Sequence, residues 1–86
     1  MDKKFSESGA SLAARVITKS NTVDLEWPAR AIHVSAAGDV KIIDLTGHEV
    51  VVPGVPQGIW AQGAQRIFTT GTTATVTVAY IHPLDL

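Results

Sequence analysis

The sequence predicts an all-β fold: a small single-domain antiparallel β-sandwich, or jelly-roll-like barrel, with an N-terminal arm. Three observations indicate this class. Short runs rich in β-branched residues recur about every 8–12 residues between turn-forming residues. Six of the nine threonines lie in residues 66–81, where a Thr-Gly turn leads into a strict Thr/Val alternation. No segment repeats its apolar residues at the helical period of about 3.6.

Residues 1–12 are predicted to form an arm that precedes the β-domain of residues 13–86. They are polar, contain serine and glycine, and show no periodicity. A segment of this composition becomes ordered mainly when it docks on another surface. In so short a chain, we expect that surface to belong to an adjacent subunit.

Seven strands are predicted after the arm. The pair Ser20-Asn21 ends the first strand, while Gly38-Asp39 and residues 45–47 form tight turns that join the next three strands into a meander. Residues 53–58 contain two prolines and two glycines, so they are predicted to form a crossing loop. Gly63 marks a bulge or bend. The predicted strands are residues 13–19, 30–35, 40–44, 48–52, 59–62, 64–70 and 74–81.

Side-chain alternation in the last strand predicts which of its faces is core. Val76, Val78 and Tyr80 share one face because successive side chains in a strand point to opposite sides. This Val/Tyr face is predicted to be buried. The opposite face carries the threonines and is predicted to meet either water or a neighbouring subunit.

Six apolar residues are candidates for contact with other chains. Two of them lie in the arm. The two tryptophans stand at strand ends, where a core lid and an interface anchor are both plausible. The remaining two lie on the strand faces opposite their apolar neighbours, which suggests a second apolar face in mid-sheet. The six candidates are Phe5, Leu12, Trp27, Ile43, Val51 and Trp60.

Size and composition favour an oligomer. A chain of 86 residues has a small core, and no cysteine is present to add a disulfide. The 45% content of hydrophobic residues is high for a domain whose surface should be mostly polar. The net charge of −1, with no Lys/Arg cluster beyond residues 3–4, argues against nucleic acid. Apolar runs are too short for a membrane span or a secretion signal, so we expect synthesis in the cytoplasm.

No catalytic, metal or cofactor site is predicted. His33, His48 and His82 are far apart in sequence and follow no ligand spacing, so we interpret them as ordinary surface or turn residues. Asp24 and Asp39 stand at turn positions that favour aspartate for backbone reasons. The turn glycines precede no helix and therefore form no phosphate cradle. The residues thus predict a protein that is not an enzyme.

Four segments, taken in order, resemble a known family. They are residues 30–35 (Arg-Ala-Ile-His-Val-Ser), residues 38–42 (Gly-Asp-Val-Lys-Ile), residues 52–58 (Val-Pro-Gly-Val-Pro-Gln-Gly) and residues 66–75, which end in Thr-Gly-Thr-Thr-Ala-Thr. This pattern is similar to that of the small β-rich structural proteins of tailed bacteriophages and gene transfer agents known as spike base proteins. The resemblance covers about residues 13–82, nearly all of the chain.

The resemblance implies a virion component without catalytic residues. Such a protein is present in several copies, and it decorates or reinforces the capsid or seats a spike or head fibre at a vertex. Its expected partners are further copies of itself and the major capsid protein or a spike or fibre protein. A different reading is a small carbohydrate-binding module of a tail fibre or adaptor, for which Trp27, Trp60 and Tyr80 are the available aromatic residues.

Overall fold

A computed structural model describes residues 13–83, which form seven strands in two antiparallel sheets. The predicted all-β sandwich is confirmed, and this part of the chain contains no α-helix. It therefore also offers no helix long and apolar enough to cross a membrane. The predicted arm lies outside the described residues. The strands are β1 (Ala13–Val16), β2 (Ala31–Ala36), β3 (Gly38–Ile43), β4 (Glu49–Val55), β5 (Gly58–Trp60), β6 (Arg66–Ile67) and β7 (Thr75–Ile81).

The strands divide between the sheets in a way that differs from the predicted meander. The larger sheet has the order β1-β7-β2-β5 and the smaller has the order β4-β3-β6. Only Ala37 separates β2 from β3, which is too little chain for a hairpin, since the shortest common hairpin loop has two residues. The chain instead passes from one sheet to the other. The predicted turn at Gly38-Asp39 is wrong, because these residues begin β3.

The proline-rich segment is also partly a strand, contrary to the predicted crossing loop. Pro53 and Gly54 continue β4, which lies at the edge of the smaller sheet, where a missing N–H breaks no ladder. Together they stand opposite the single residue Asp39, so β4 carries a β-bulge there. Gly54 has a φ of 65° and donates its N–H to Asp39 Oδ1 at 3.0 Å. The crossing between sheets is thus confined to residues 56–57.

Three predicted strands are shorter than expected because the chain moves between sheets. β1 ends at Val16, after which residues 17–25 run towards the smaller sheet: Ser20 N donates to Ile67 O at 2.9 Å and Leu25 N donates to Gln65 O at 2.8 Å. The strand predicted at residues 64–70 is reduced to β6, preceded by an isolated bridge between Ala64 and Ala29. β5 is likewise limited to three residues.

The core lies between the two sheets. It is built from small and β-branched side chains with exposures of 2% or less, as expected where two sheets interdigitate. Ile17, Leu25, Val52 and Trp60 pack against its margin. The core cluster contains Ala29, Ile32, Val34, Val40, Ile42, Val55, Ala64, Ile67, Ala74, Val76 and Ala79.

The face of β7 that meets the core changes along the strand, which corrects the prediction. Val76 is buried, but beyond it the buried residues are Ala79 and Ile81, whereas Val78 and Tyr80 are half-buried on the other side. The cause is a register shift against β2: His33 pairs with Val78 while the next residue, Val34, pairs with Val76. The extra β7 residue at this bulge moves the alternation by one position.

The threonine-rich turn before β7 is fastened to β3 by its side chains. Thr73 Oγ1 accepts the N–H of Asp39 at 2.8 Å and Thr72 Oγ1 accepts the N–H of Lys41 at 3.0 Å. Asn21 holds the other end of this turn, since its Oδ1 accepts the N–H groups of Thr69 and Thr70 at 3.1 and 3.0 Å. These hydroxyls therefore stabilise the turn that joins the sheets.

The predicted turn at residues 45–47 is confirmed, and a carboxylate organises it. Asp44 Oδ1 accepts the Thr46 hydroxyl, the Thr46 N–H at 2.9 Å and the His48 N–H at 3.0 Å. Gly47 has a φ of 93°, which suits glycine. The hydrogen bond from the Thr46 hydroxyl, followed by that from the His48 backbone, lowers the pKa of Asp44 from its ordinary value of 3.8.

This lowered pKa predicts a pH-dependent effect of Asp44→Ala. A carboxyl whose pKa is lower when folded adds stability above the unfolded value of 3.8, and loses it as the pH falls through the folded value. We therefore expect Asp44→Ala to lower the melting temperature at pH 7, and the difference from the parent to shrink as the pH falls below 3.8. Thermal unfolding followed by circular dichroism at pH 7, 4 and 2 measures this. A constant difference would contradict the assignment.

Candidate interaction surface

Four side chains form a row across the outer face of the larger sheet. Val16 of β1 stands opposite Val78 of β7, Val78 stands opposite His33 of β2, and His33 stands opposite Ile59 of β5. Directly opposed residues of antiparallel strands point to the same side of a sheet. With strands about 4.8 Å apart, the row extends roughly 14 Å across the sheet.

The adjacent row shows which side faces the core. One position along each strand, Arg15 stands opposite Ala79, Ala79 opposite Ile32, and Ile32 opposite Trp60. Ala79 and Ile32 are fully buried between the sheets. The row that contains Val16 therefore points away from the core, and the larger sheet has an apolar outer face of its own.

This outer face is substantially exposed at both ends. Val16 is 84% exposed and Ile59 is 70% exposed, while Val78 between them is half-buried. Ala14 and Tyr80, which stand opposite each other, add a second row beside the first. Contiguous exposed apolar groups of this kind mark surfaces that bind other molecules more often than they mark ordinary solvent-facing sheet.

His33 adds an unusual polar group to the centre of this face. Its Nδ1 is buried and has no hydrogen-bond partner, and no other buried side-chain nitrogen or oxygen in residues 13–83 is left in that state. An unsatisfied buried polar atom costs about 1–3 kcal/mol. An apolar face with an unsatisfied nitrogen at its centre is unfavourable in contact with water alone. We therefore take the outer face of the larger sheet as the candidate interaction surface.

The outer face of the smaller sheet is different, because charged side chains cover its apolar groups. Lys41 forms an ion pair with Glu49 at 2.9 Å, and Arg66 forms one with Asp24 at 2.8 Å. Phe68 lies beneath both cations, with Lys41 Nζ at 4.7 Å and Arg66 Cζ at 5.6 Å from the centre of its ring. This face has the mixed charge that is typical of a solvated surface.

Ile43 and Val51, two of the predicted interface residues, belong to this charged face. Ile43 is half-buried and stands opposite Glu49 on one side and Arg66 on the other. Val51 is 49% exposed and stands opposite Lys41. The two residues share a face, as predicted, but charged neighbours surround them.

Of the other four predicted interface residues, the two tryptophans lie elsewhere. Trp60 lies in the inner row and packs against the core. Trp27 is half-buried beside Arg15, the residue at the other end of that inner row. The guanidinium carbon of Arg15 lies 5.5 Å from the centre of the Trp27 ring. Phe5 and Leu12 lie outside the described residues. Their participation in an interface remains a prediction.

The sequence contained a signal for the outer face that the prediction did not use. Val16, the last residue of β1, is followed by Ile17, and adjacent side chains of an extended chain point to opposite sides; Ile59 likewise stands beside Trp60 in β5. Strands that are apolar on both sides are buried on both sides or contact a partner. The described residues also bring no three metal-ligating side chains together. The chemistry that this surface offers is apolar contact around one imidazole.

Comparison with known proteins gives this surface a context. No family model matches the chain, and no curated protein matches it. Among solved structures, the chain is similar to a chain in the capsid of a native GTA (gene transfer agent) particle computed with C5 symmetry, with 31% sequence identity and a TM-score of 0.68. The similarity covers 79% of this chain and 80% of that one. It confirms the predicted resemblance at the level of a phage-like virion protein, and the chain belongs to the same family as this capsid component of a gene transfer agent.

Proposed function

We propose that the protein is a non-enzymatic structural subunit of a phage-like virion that sits on the capsid and seats a spike or fibre at a vertex. The observation that carries this proposal is its family membership with a chain of the GTA capsid. Decoration or reinforcement of the capsid away from the vertices is the other form that this role could take.

The architecture is suited to such a part. The two sheets share a closely packed core, and the hydroxyls of Thr72 and Thr73 fasten the turn between the sheets to β3. The larger sheet then presents Val16, Val78, Ile59 and Tyr80 to the outside. Exposed apolar side chains grouped on one face of a sheet are typical of a surface that contacts another protein.

Purified particles test the proposal directly. Cryo-electron microscopy of particles from cells that produce this chain should show a seven-stranded sandwich on the capsid exterior, with its copies arranged around a fivefold axis. Mass spectrometry of the same particles should detect the chain. Its absence from washed particles would show that it is no virion component, and density only between the vertices would replace spike seating with decoration.

The outer face of the larger sheet predicts the effect of Ile59→Asp on incorporation. Ile59 is 70% exposed, so the substitution should leave the domain folded, but a charge at a buried apolar contact is costly. We expect at least a tenfold loss of the chain from purified particles, an effect of about 1.4 kcal/mol or more in binding. Quantitative mass spectrometry against a major capsid peptide measures it.

Val51→Asp is the matched comparison for that variant. Val51 is 49% exposed and carries the same new charge onto the smaller sheet, where Lys41 stands opposite. We expect near-parental incorporation. If Val51→Asp excludes the chain while Ile59→Asp does not, the capsid contact lies on the smaller sheet and our assignment of the face is wrong.

A carbohydrate-binding module has less support. Such a site needs exposed aromatic rings beside polar groups in one concavity. The three candidate aromatic residues are instead dispersed: Trp60 lies on the inner face, Tyr80 on the outer face of the larger sheet, and Trp27 beside Arg15. A glycan array without hits would remove this alternative.

A further inference from the structure

β1 is an edge strand, and on its outer side the carbonyl of Ala14 accepts a hydrogen bond from the side chain of Arg15 at 2.8 Å, which an added strand would replace. It pairs with β7 alone, and no other strand of the described part lies beside it. Ile17 N donates to Thr77 O at 2.8 Å, which fixes the hydrogen-bonding phase of the pair. Because bonded and non-bonded residues alternate in an antiparallel pair, Ala14 and Val16 direct their N–H and C=O groups away from β7. Such an edge is a template for an added strand.

A cleft adjoins this edge. It has a volume of about 430 Å³ and lies between β1 and residues 17–27. Pockets of about 300–1,000 Å³ hold small organic molecules, so this cleft is large enough for an aromatic side chain. Val23 on its wall is 64% exposed. The apolar lining consists of Val16, Ile17, Val23, Leu25, Trp27 and Ile81.

The rim of the cleft carries charges of both signs. Its lining includes the cations Arg15 and Lys19 and the carboxylates Asp24 and Glu26. Residues 1–12 also carry both signs, in Asp2, Glu7 and two lysines, and they contain the large apolar side chains Phe5 and Leu12. An extended segment that places an aromatic ring in the cleft and charges of both signs at its rim matches this composition.

We propose that residues 1–12 of one copy add a strand to the β1 edge of a second copy and place Phe5 in the cleft beside Trp27. The segment precedes Ala13, the first residue of β1, and twelve extended residues span up to about 40 Å, which is ample for reaching a neighbour. Each copy then offers a donor and an acceptor on different parts of its surface. Contacts of this heterologous kind form a ring when the rotation between neighbouring copies closes, as it does around a symmetry axis of a particle. The inference rests on the proposed function, because it requires copies that adjoin one another.

Two full-length variants separate donor from acceptor. Phe5→Asp removes the aromatic ring of the arm and leaves the β1 edge unchanged. Val16→Lys places a charge on the β1 edge and leaves the arm unchanged. Val16 is 84% exposed, so a lysine there should not disturb folding, and lysine on an edge strand opposes strand addition. We expect the parent to be a closed oligomer in native mass spectrometry and each variant alone to be a monomer of 9.1 kDa.

Mixing the two variants gives the decisive result. The intact arm of the Val16→Lys chain can dock on the intact edge of the Phe5→Asp chain, so an equimolar mixture should yield a heterodimer of twice the 9.1-kDa mass. Val51→Lys, with the same charge on the smaller sheet, should retain the parental oligomer. A cooperative thermal unfolding transition in each variant shows that all of them are folded. If the mixture stays monomeric, or if the parent itself is a monomer whose arm occupies its own edge, the proposal is overturned.

The outcome is independent of the test of function. A chain found on the capsid whose two variants fail to complement each other would retain its virion role and lose arm exchange. If the two variants form the heterodimer in solution but the chain is absent from purified particles, arm exchange is supported and the virion role is lost. The two proposals can therefore fail separately.

Discussion

Gly38→Ala should cost about 3 kcal/mol or more of the free energy of unfolding, which is a large fraction of the stability of a small domain. A Cβ at this position would lie 2.6 Å from Ala74 N and 2.8 Å from Thr73 Oγ1. The first of these is backbone and cannot rotate away. The threonine-rich turn would have to move off β3, which breaks the hydrogen bonds between Asp39 and Thr73. Urea unfolding measures the loss.

Gly47→Ala provides the matched control for this prediction. Gly47 has a φ of 93°, but a Cβ there meets nothing within 4 Å. The cost should therefore be conformational alone, about 1–2 kcal/mol. If the two variants lose equal stability, the close approach of the turn to β3 does not explain why position 38 is glycine.

The existence of the strands could be predicted from local patterns, because each pattern reports on its own residues. Seven strands were expected and residues 13–83 form seven, and the Asp44 turn lies where Leu45-Thr46-Gly47 indicated. Sheet membership could not be predicted in this way. A Gly-Asp pair between two β-type runs is typical of a hairpin, and nothing local shows that Gly38 instead lies against the distant Ala74.

Edge position explains the error at residues 53–58. Pro53 would be excluded from a central strand, but β4 is an edge strand and its bulge receives both Pro53 and Gly54. The rule about proline is correct, and the missing information was which strand has only one neighbour. That information belongs to the tertiary fold.

The candidate site shows the same limit. Apolar residues that interrupt the alternation of a strand predicted Ile43 and Val51 as interface residues. In the structure both have charged neighbours on the smaller sheet. The outer face of the larger sheet depends on register: Val16, Val78, His33 and Ile59 become one row only when four strands from distant parts of the chain are aligned. Alternation within a single strand does not contain this alignment.

The register shift in β7 predicts that two valines of this strand, Val76 and Val78, contribute differently to the free energy of unfolding. Uninterrupted alternation would place Val76 and Val78 on the same face with equal roles. The bulge separates them, so that Val76 is 1% exposed in the core and Val78 is half-buried on the outer face. We expect Val76→Ala to cost about 2–3 kcal/mol through the cavity it leaves, and Val78→Ala to cost less than about 1 kcal/mol.

Thermal unfolding resolves this difference, since 1 kcal/mol shifts the melting temperature of a domain of 60–100 residues by about 4–8 °C. Val76→Ala should therefore melt roughly 10 °C or more below the parent. Val78 lies on the proposed contact face, so its substitution should act mainly on association. Measurements at several protein concentrations distinguish the two effects, because a loss of association depends on concentration and a loss of domain stability does not. If both variants lose the same melting temperature at every protein concentration, the alternation in β7 is unbroken and Val78 does not lie on the outer face.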